Sequence, residues 1–300
     1  MNYLSVCGIV RGERYLEEWV EYHRTVGVEH FYIYDNGAFA GSFLKKQVSE
    51  GFVTVIPFPG KCQQLNAYNH CLRNFKNESR WIAFIDADEF LVPNKGSDLR
   101  NVLRNYEQYG GLAVNWLIFG SSYHILRPIG FQIENYTHRA RNDYAHKGEV
   151  HNQLVKSIVQ PSHTIAVSTN PHIFLYEEGY YCVNEKFERV SGPISKNTTE
   201  TIQLNHYYTR SYQDFREKII RGRADVGGSR SWDEFFEVDY YANAVWDYRI
   251  LRFLPELKKR LNRNSKMNLG SKVPVGIRRL ARFILFCQFK ITRRLTKTSR

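Results

Sequence analysis

Three carboxylates, Asp86, Asp88 and Glu89, stand at the end of the unbroken apolar run Trp81-Ile82-Ala83-Phe84-Ile85, with no turn residue between. A run of mostly β-branched and aromatic residues predicts a fully buried strand. A buried strand that runs into three acids concentrates like charges, which repel and raise one another's pKa. The arrangement calls for a cation, and hard carboxylate oxygens suit Mg²⁺ or Mn²⁺. Open α/β sheets bind ligands beyond the carboxyl ends of their strands, where these acids would sit. The competing reading is a solvated turn after a core strand, because an isolated Asp-x-Asp is common by chance.

Residues 3–10 read as a second buried strand, and 13–26 as a helix with Leu16, Trp19, Val20 and His23 on one face. A strand at 30–34 closes on Asp35-Asn36-Gly37. A helix around 41–49, a strand at 52–56, a helix at 63–75 and the strand at 81–85 complete a β-α alternation. That pattern predicts a parallel, Rossmann-like sheet with right-handed crossovers. G-x-G-x-x-G and G-x-x-x-x-G-K-[ST] are both absent, so neither a dinucleotide fingerprint nor a P-loop accounts for it. Further on, the spacing predicts a helix at 97–109, a strand at 112–119, short strands at 153–159, 164–167 and 172–176, and a strand at 204–208. Ser211 caps an expected helix at 212–222, and a longer helix at 232–261 is expected to break near Pro255.

With 43% apolar and 15% aromatic residues, the 300-residue chain is globular. Its net charge of +12 is unevenly placed: residues 257–300 hold 14 of the 42 Lys and Arg and no acid, leaving 28 bases against 30 acids before them. The body is thus near neutral, which argues against a nucleic-acid partner, since that would need a basic face on the fold. No secretory signal and no membrane-length apolar run is visible, and the five cysteines show neither close pairing nor metal spacing. The expectation is a cytoplasmic protein.

Several separated segments, in order, resemble glycosyltransferase family 92 and its bacterial relatives in the family 2-like group. They are Cys7-Gly8-Ile9-Val10-Arg11-Gly12-Glu13, Glu17-Glu18-Trp19-Val20-Glu21-Tyr22-His23 and Gly27-Val28-Glu29-His30-Phe31-Tyr32-Ile33-Tyr34-Asp35-Asn36, then Asp86-Ala87-Asp88-Glu89-Phe90. Asn115-Trp116 with Phe119-Gly120-Ser121-Ser122, and His206-Tyr207 with Ser211 and Lys218, extend the likeness to about residue 230. Gly12 departs from it, because the family usually has Asn there.

The resemblance implies a GT-A fold: α/β, with a single Rossmann-like, mostly parallel mixed sheet flanked by helices. Residues 1–261 would form the domain, the donor half about 1–122 and the acceptor half about 123–261, followed by a helical extension at 262–300. It also implies a nucleotide-sugar donor, a divalent metal and usually inversion; characterised relatives often move galactose from UDP-galactose.

On this reading Asp88 and His206 hold the metal, while Asp86 faces the ribose or a metal-bound water. A neutral imidazole tilts the choice of metal to Mn²⁺ over Mg²⁺. Without the resemblance, His206 reads as a core histidine at a strand end. Arg11, Glu13, Asp35 and Gln64 are expected along the nucleotide, although Arg11 could instead pair with Glu13 or Asp35. Inversion needs a base. Glu134 lies in the expected interval, as do Asp143 and Glu149, with Asp225 just outside it as the alternative; Glu134 could equally be a surface residue. Trp116, Phe119, Tyr123 and Tyr136 could stack on acceptor sugars or simply pack the core. The rival functions are a non-catalytic glycan- or nucleotide-binding protein and a nucleotidyltransferase.

The tail, outside the resemblance, carries a helical apolar stripe from Ile277 to Leu295, widened by Phe283, Phe286 and Phe289 and surrounded by bases. Residues 272–300 are therefore expected either to attach to an anionic membrane surface or to pack on the body. Attachment at the inner face of the cytoplasmic membrane would suit a glycolipid acceptor such as a lipopolysaccharide or capsule precursor.

Overall fold

The computed structural model describes residues 1–37, 39–144, 151–222, 230–262 and 274–298. The first half follows the predicted alternation: β1 (Asn2–Val10), α1 (Leu16–Thr25), β2 (His30–Asp35), α2 (Ala40–Phe43), α3 (Lys45–Ser49), β3 (Val53–Pro57), α4 (Gln64–Phe75) and β4 (Ser79–Phe84). β1 pairs in parallel with both β2 and β4, and β2 with β3. Successive side chains of a strand point to opposite faces, so each strand feeds two cores. Leu4, Val6, Phe31, Ile33, Trp81 and Ala83 pack with Trp19 and Val20 of α1. Cys7, Ile9, Tyr32, Tyr34, Ile82 and Phe84 pack with Ala67, Tyr68, Cys71 and Leu72 of α4. Gly8 lets α1 settle close to the sheet, because a Cβ there would lie 3.0 Å from the Ile85 carbonyl oxygen and 3.4 Å from the Trp19 ring.

After β4 the chain does not turn into a helix. It forms β5 (Glu89–Pro93), then α5 (Leu99–Leu103), shorter than the helix expected at 97–109 and N-capped by Asp98, and then β6 (Gly111–Phe119). α6 (Gln132–Asn135), β7 (His138–Arg139), β8 (Val155–Val159), β9 (Thr164–Val167), β10 (Phe174–Tyr176), β11 (Cys182–Val183), β12 (Arg189–Val190) and β13 (Ile202–Tyr207) follow. Then come α7 (Tyr212–Arg221), α8 (Trp232–Tyr241), β14 (Val245–Trp246), α9 (Leu254–Arg260) and α10 (Val275–Thr298). The Ser211 side chain accepts from the Asp214 amide, as expected of an N-cap. The single helix expected over 232–261 is replaced by two. α8 stops at Tyr241, where the Ala242 carbonyl packs against Gly120, and β14 then pairs with β7; Pro255 falls in the first turn of α9 rather than at a break.

The main sheet runs β12-β11-β6-β8-β4-β1-β2-β3. It is mixed because β8 is antiparallel to both of its neighbours, β4 and β6. Where β8 leaves β6, β13 takes its place, parallel to β6 and antiparallel to β5. Two placements follow. The reversed β8 brings its first residues, Val155 and Lys156, to the carboxyl end of β4, and the register of β13 sets His206 opposite Glu89. The sheet therefore crosses the expected boundary between donor and acceptor halves near residue 122.

Candidate active site

At the carboxyl edge of the sheet lies a cavity of about 380 Å³. Arg11, Glu13, Gln64, Asp86, Asp88, Trp116, Lys156, His206, Arg221 and Arg230 are among the residues that line it. Another cavity, of about 250 Å³, shares His172 with it but is lined by tyrosines and apolar groups without a carboxylate.

The charge problem posed by the three acids is solved largely by the chain itself. Asp86 Oδ1 accepts from Gln64 Nε2 at 2.6 Å and Oδ2 from Lys156 Nζ at 2.9 Å. Glu89 is fully buried; its Oε2 accepts from the Asp86 amide at 2.8 Å, and Lys156 Nζ is 3.7 Å away. Burial, opposed by Lys156 and reinforced by Asp86, pushes the Glu89 carboxyl well above the usual range.

Asp88 behaves in the opposite way. Burial alone would raise its pKa, but the cations Lys218 and Arg210 hold it well below the usual value. Lys218 Nζ donates to Asp88 Oδ2 at 2.6 Å and to the carbonyls of Tyr207 and Tyr208, while burial brings the lysine down to about 8. The other oxygen, Oδ1, faces His206 Nε2 at 3.6 Å, beyond hydrogen-bond distance. Burial drives His206 down to about 3, so its imidazole is neutral at pH 7, and its ring sits 4.4 Å from that of Trp116. An ionised carboxylate oxygen and a neutral imidazole nitrogen that face each other without bonding are a donor pair suited to a divalent cation. Among the described residues no three His, Cys, Asp or Glu side chains form a metal-holding group.

The other expected site residues divide. Glu13 lines the cavity but is buried in an ion pair with Arg210 at 2.7 Å, so Arg11 is not its partner at that distance. Asp35 does not line the cavity: its carboxylate accepts from the amides of Gly37 and Ala40 at 3.0 and 2.7 Å and shapes the turn after β2. Glu134 is likewise not brought to the site; it sits on the single-turn α6, paired with Lys258 of α9 at 3.0 Å. Asp143 is exposed beside Arg141. Asp225 and Glu149 lie outside the described residues. Of the four aromatics, Trp116 reaches the cavity, Phe119 and Tyr136 are core, and Tyr123 lies under Arg279. Sequence reasoning missed Lys156, Arg221 and Arg230. Lys156 did leave a signal, a charged residue inside the apolar run Val155-Lys156-Ser157-Ile158-Val159.

A family model, Glycosyltransferase family 92, matches residues 4–249. The chain belongs to that family. A family 92 protein of Oryza sativa subsp. japonica is 30% identical over 229 residues, which cover 72% of this chain and 35% of the relative. One from Ricinus communis is 27% identical over 227 residues, covering 73% and 37%. One from Arabidopsis thaliana is 25% identical over 236 residues, covering 73% and 37%. The chain thus spans little more than a third of the length of the relatives it matches. Among solved structures, 4-diphosphocytidyl-2C-methyl-D-erythritol synthase of Anaerococcus prevotii overlays with a TM-score of 0.30 at 9% identity, covering 54% of this chain and 71% of that one. The family match takes in the whole cavity lining, from Arg11 to Arg230.

Proposed function

We propose that this chain is a metal-dependent glycosyltransferase that moves a sugar from a nucleotide-sugar donor to a glycan acceptor. The observation that carries this reading is the facing pair Asp88 Oδ1 and neutral His206 Nε2, in a cavity that also presents Arg11, Lys156, Arg221 and Arg230. A divalent cation at that pair supplies neutralisation of the charge that develops on the departing diphosphate. The chain's own cations would add to it, since Lys156, Arg221 and Arg230 line the same cavity. Asp86, held from two directions by Gln64 and Lys156, is positioned to accept from a ribose hydroxyl. A UDP-linked hexose and inversion extend the proposal on family likeness, and a glycolipid acceptor such as a lipopolysaccharide or capsule precursor extends it on the basic tail.

The discriminating experiment is thermal melting with a panel of UDP-sugars and nucleoside triphosphates, with and without Mn²⁺. A rise in Tm with a UDP-sugar that chelator abolishes supports the transferase. A rise with nucleoside triphosphate and sugar phosphate turnover, but none with UDP-sugars, replaces it by a nucleotidyltransferase.

The base for inversion is proposed at Asp225, the alternative offered by the sequence, since Glu134 is paired with Lys258 and does not line the cavity. Asp225→Asn is expected to lower the initial transfer rate by about 10²–10⁴-fold, the usual share of positioned proton transfer. Glu134→Gln, which disturbs only a partly exposed ion pair, should stay within about threefold of the parent rate. The reverse outcome in this pair of rate measurements would return the role to Glu134.

A further inference from the structure

Among the described residues α10 is the long helix beyond the family match, and its described contacts with the body lie on one face. Phe286 and Phe289 pack on Phe236 of α8, with ring centroids 5.4 and 5.0 Å away. Arg282 pairs with the buried Asp239 at 2.5 Å, Arg278 donates to the Ser122 carbonyl at 3.3 Å, and Arg279 lies over the Tyr123 ring. Two of the apolar residues foreseen in the sequence, Phe286 and Phe289, are thus spent on packing, and three arginines contact the body with them.

Others point away. Ile277, Leu280, Phe283 and Ile284 recur at helical spacing and are 58, 60, 62 and 49% exposed. We propose that this outward face seats the protein on an anionic lipid bilayer. Net charge argues for that occupant: α10 has no acid, and although Arg278, Arg279 and Arg282 contact the body, the 44-residue stretch that contains it has 14 bases and no acid. A second copy of the same helix would set base against base, whereas anionic headgroups complement it. Lys290 extends the basic flank as an exposed residue, and Tyr240, one turn beyond Phe236 on α8, adds a 72% exposed ring on the side that carries α10. No helix among the described residues is long and apolar enough to cross a membrane, so the helix lies along the surface. Its attachment at Ser122 and His124, just past the carboxyl end of β6, keeps it on the sheet edge that holds His206. The inference stands on these contacts and does not need the transferase reading.

Co-sedimentation of the full chain with phosphatidylglycerol–phosphatidylcholine vesicles at low salt tests it, with pure phosphatidylcholine vesicles as the comparison. The full chain is expected to partition onto the anionic vesicles, to leave them as salt is raised, and to ignore the neutral ones. The double variant Leu280→Glu, Phe283→Glu should lose about tenfold or more in partitioning, because both side chains leave the interface and bring like charge to it. Its Tm should match that of the parent, since both positions are outward. Absence of the parent from anionic vesicles overturns the proposal, as does unchanged partitioning of the variant. A parent that sediments as a dimer, which the double variant returns to monomer, would assign the face to a second copy.

Discussion

Asp88→Ala is expected to lower glycosyl transfer by about 10²–10³-fold or more, the scale of removing one pre-aligned electrostatic group from a water-poor site. The substitution takes away the carboxylate oxygen that faces His206 and the anion that receives Lys218. It also leaves the buried Lys218 with only the carbonyls of Tyr207 and Tyr208, and an uncompensated buried charge costs about 3–5 kcal/mol unless it neutralises. Lys218, already lowered to about 8, can shed its proton at modest cost, so the fold should survive. Pairing the change with Lys218→Met separates the two effects: the double variant should recover stability in a urea titration without recovering transfer. Steady-state rates in Mn²⁺ and in chelator are the measurement, and an Asp88→Ala protein within tenfold of the parent would refute the site.

The second large effect is acid sensitivity. His23 and His206 are held near 3, and His124 and His138 near 4, in each case chiefly by burial. His23 shows why: its Nε2 accepts from the Leu91 amide and its Nδ1 donates to the Trp19 carbonyl, so an added proton would set N–H against N–H. All four folded-state values lie below the unfolded value of about 6.5. Between those limits the unfolded chain binds more protons, so this stability is fully present above pH 6.5 and is lost as pH falls toward 4 and 3. Each histidine forfeits about 1.4 kcal/mol per pH unit, so the four together approach 8 kcal/mol by pH 5, comparable with the whole stability of a domain. Urea midpoints measured from pH 7.5 to 5 should fall steeply. A flat profile would mean that these imidazoles take up protons in place, and His23→Gln should soften the slope by about a quarter if they do not.

Much of this protein is determined by its sequence alone, because the deciding signals are local. The two-residue alternation of Leu4 and Val6 against Cys7 and Ile9 already assigns the two cores, and the helical spacing of Leu16, Trp19, Val20 and His23 assigns α1 to one of them. The acids after β4 mark the edge of the sheet where the cavity opens, and the Ser211 cap marks the start of α7. What the sequence does not determine depends on partners far along the chain. β8 shows a lone charge in an apolar run, but only its place between β4 and β6 reverses its direction and delivers Lys156 to Asp86. Glu134 has the right order for a base, yet α6 turns it to Lys258. The rotation of α10 about its axis is of the same kind: Phe283 and Phe286 are equivalent in spacing and composition, and only the surface of α8 decides which is buried. Periodicity records how a residue relates to its neighbours within a few positions, whereas direction, facing and pairing are settled by burial against elements a hundred residues away, which leave no local mark.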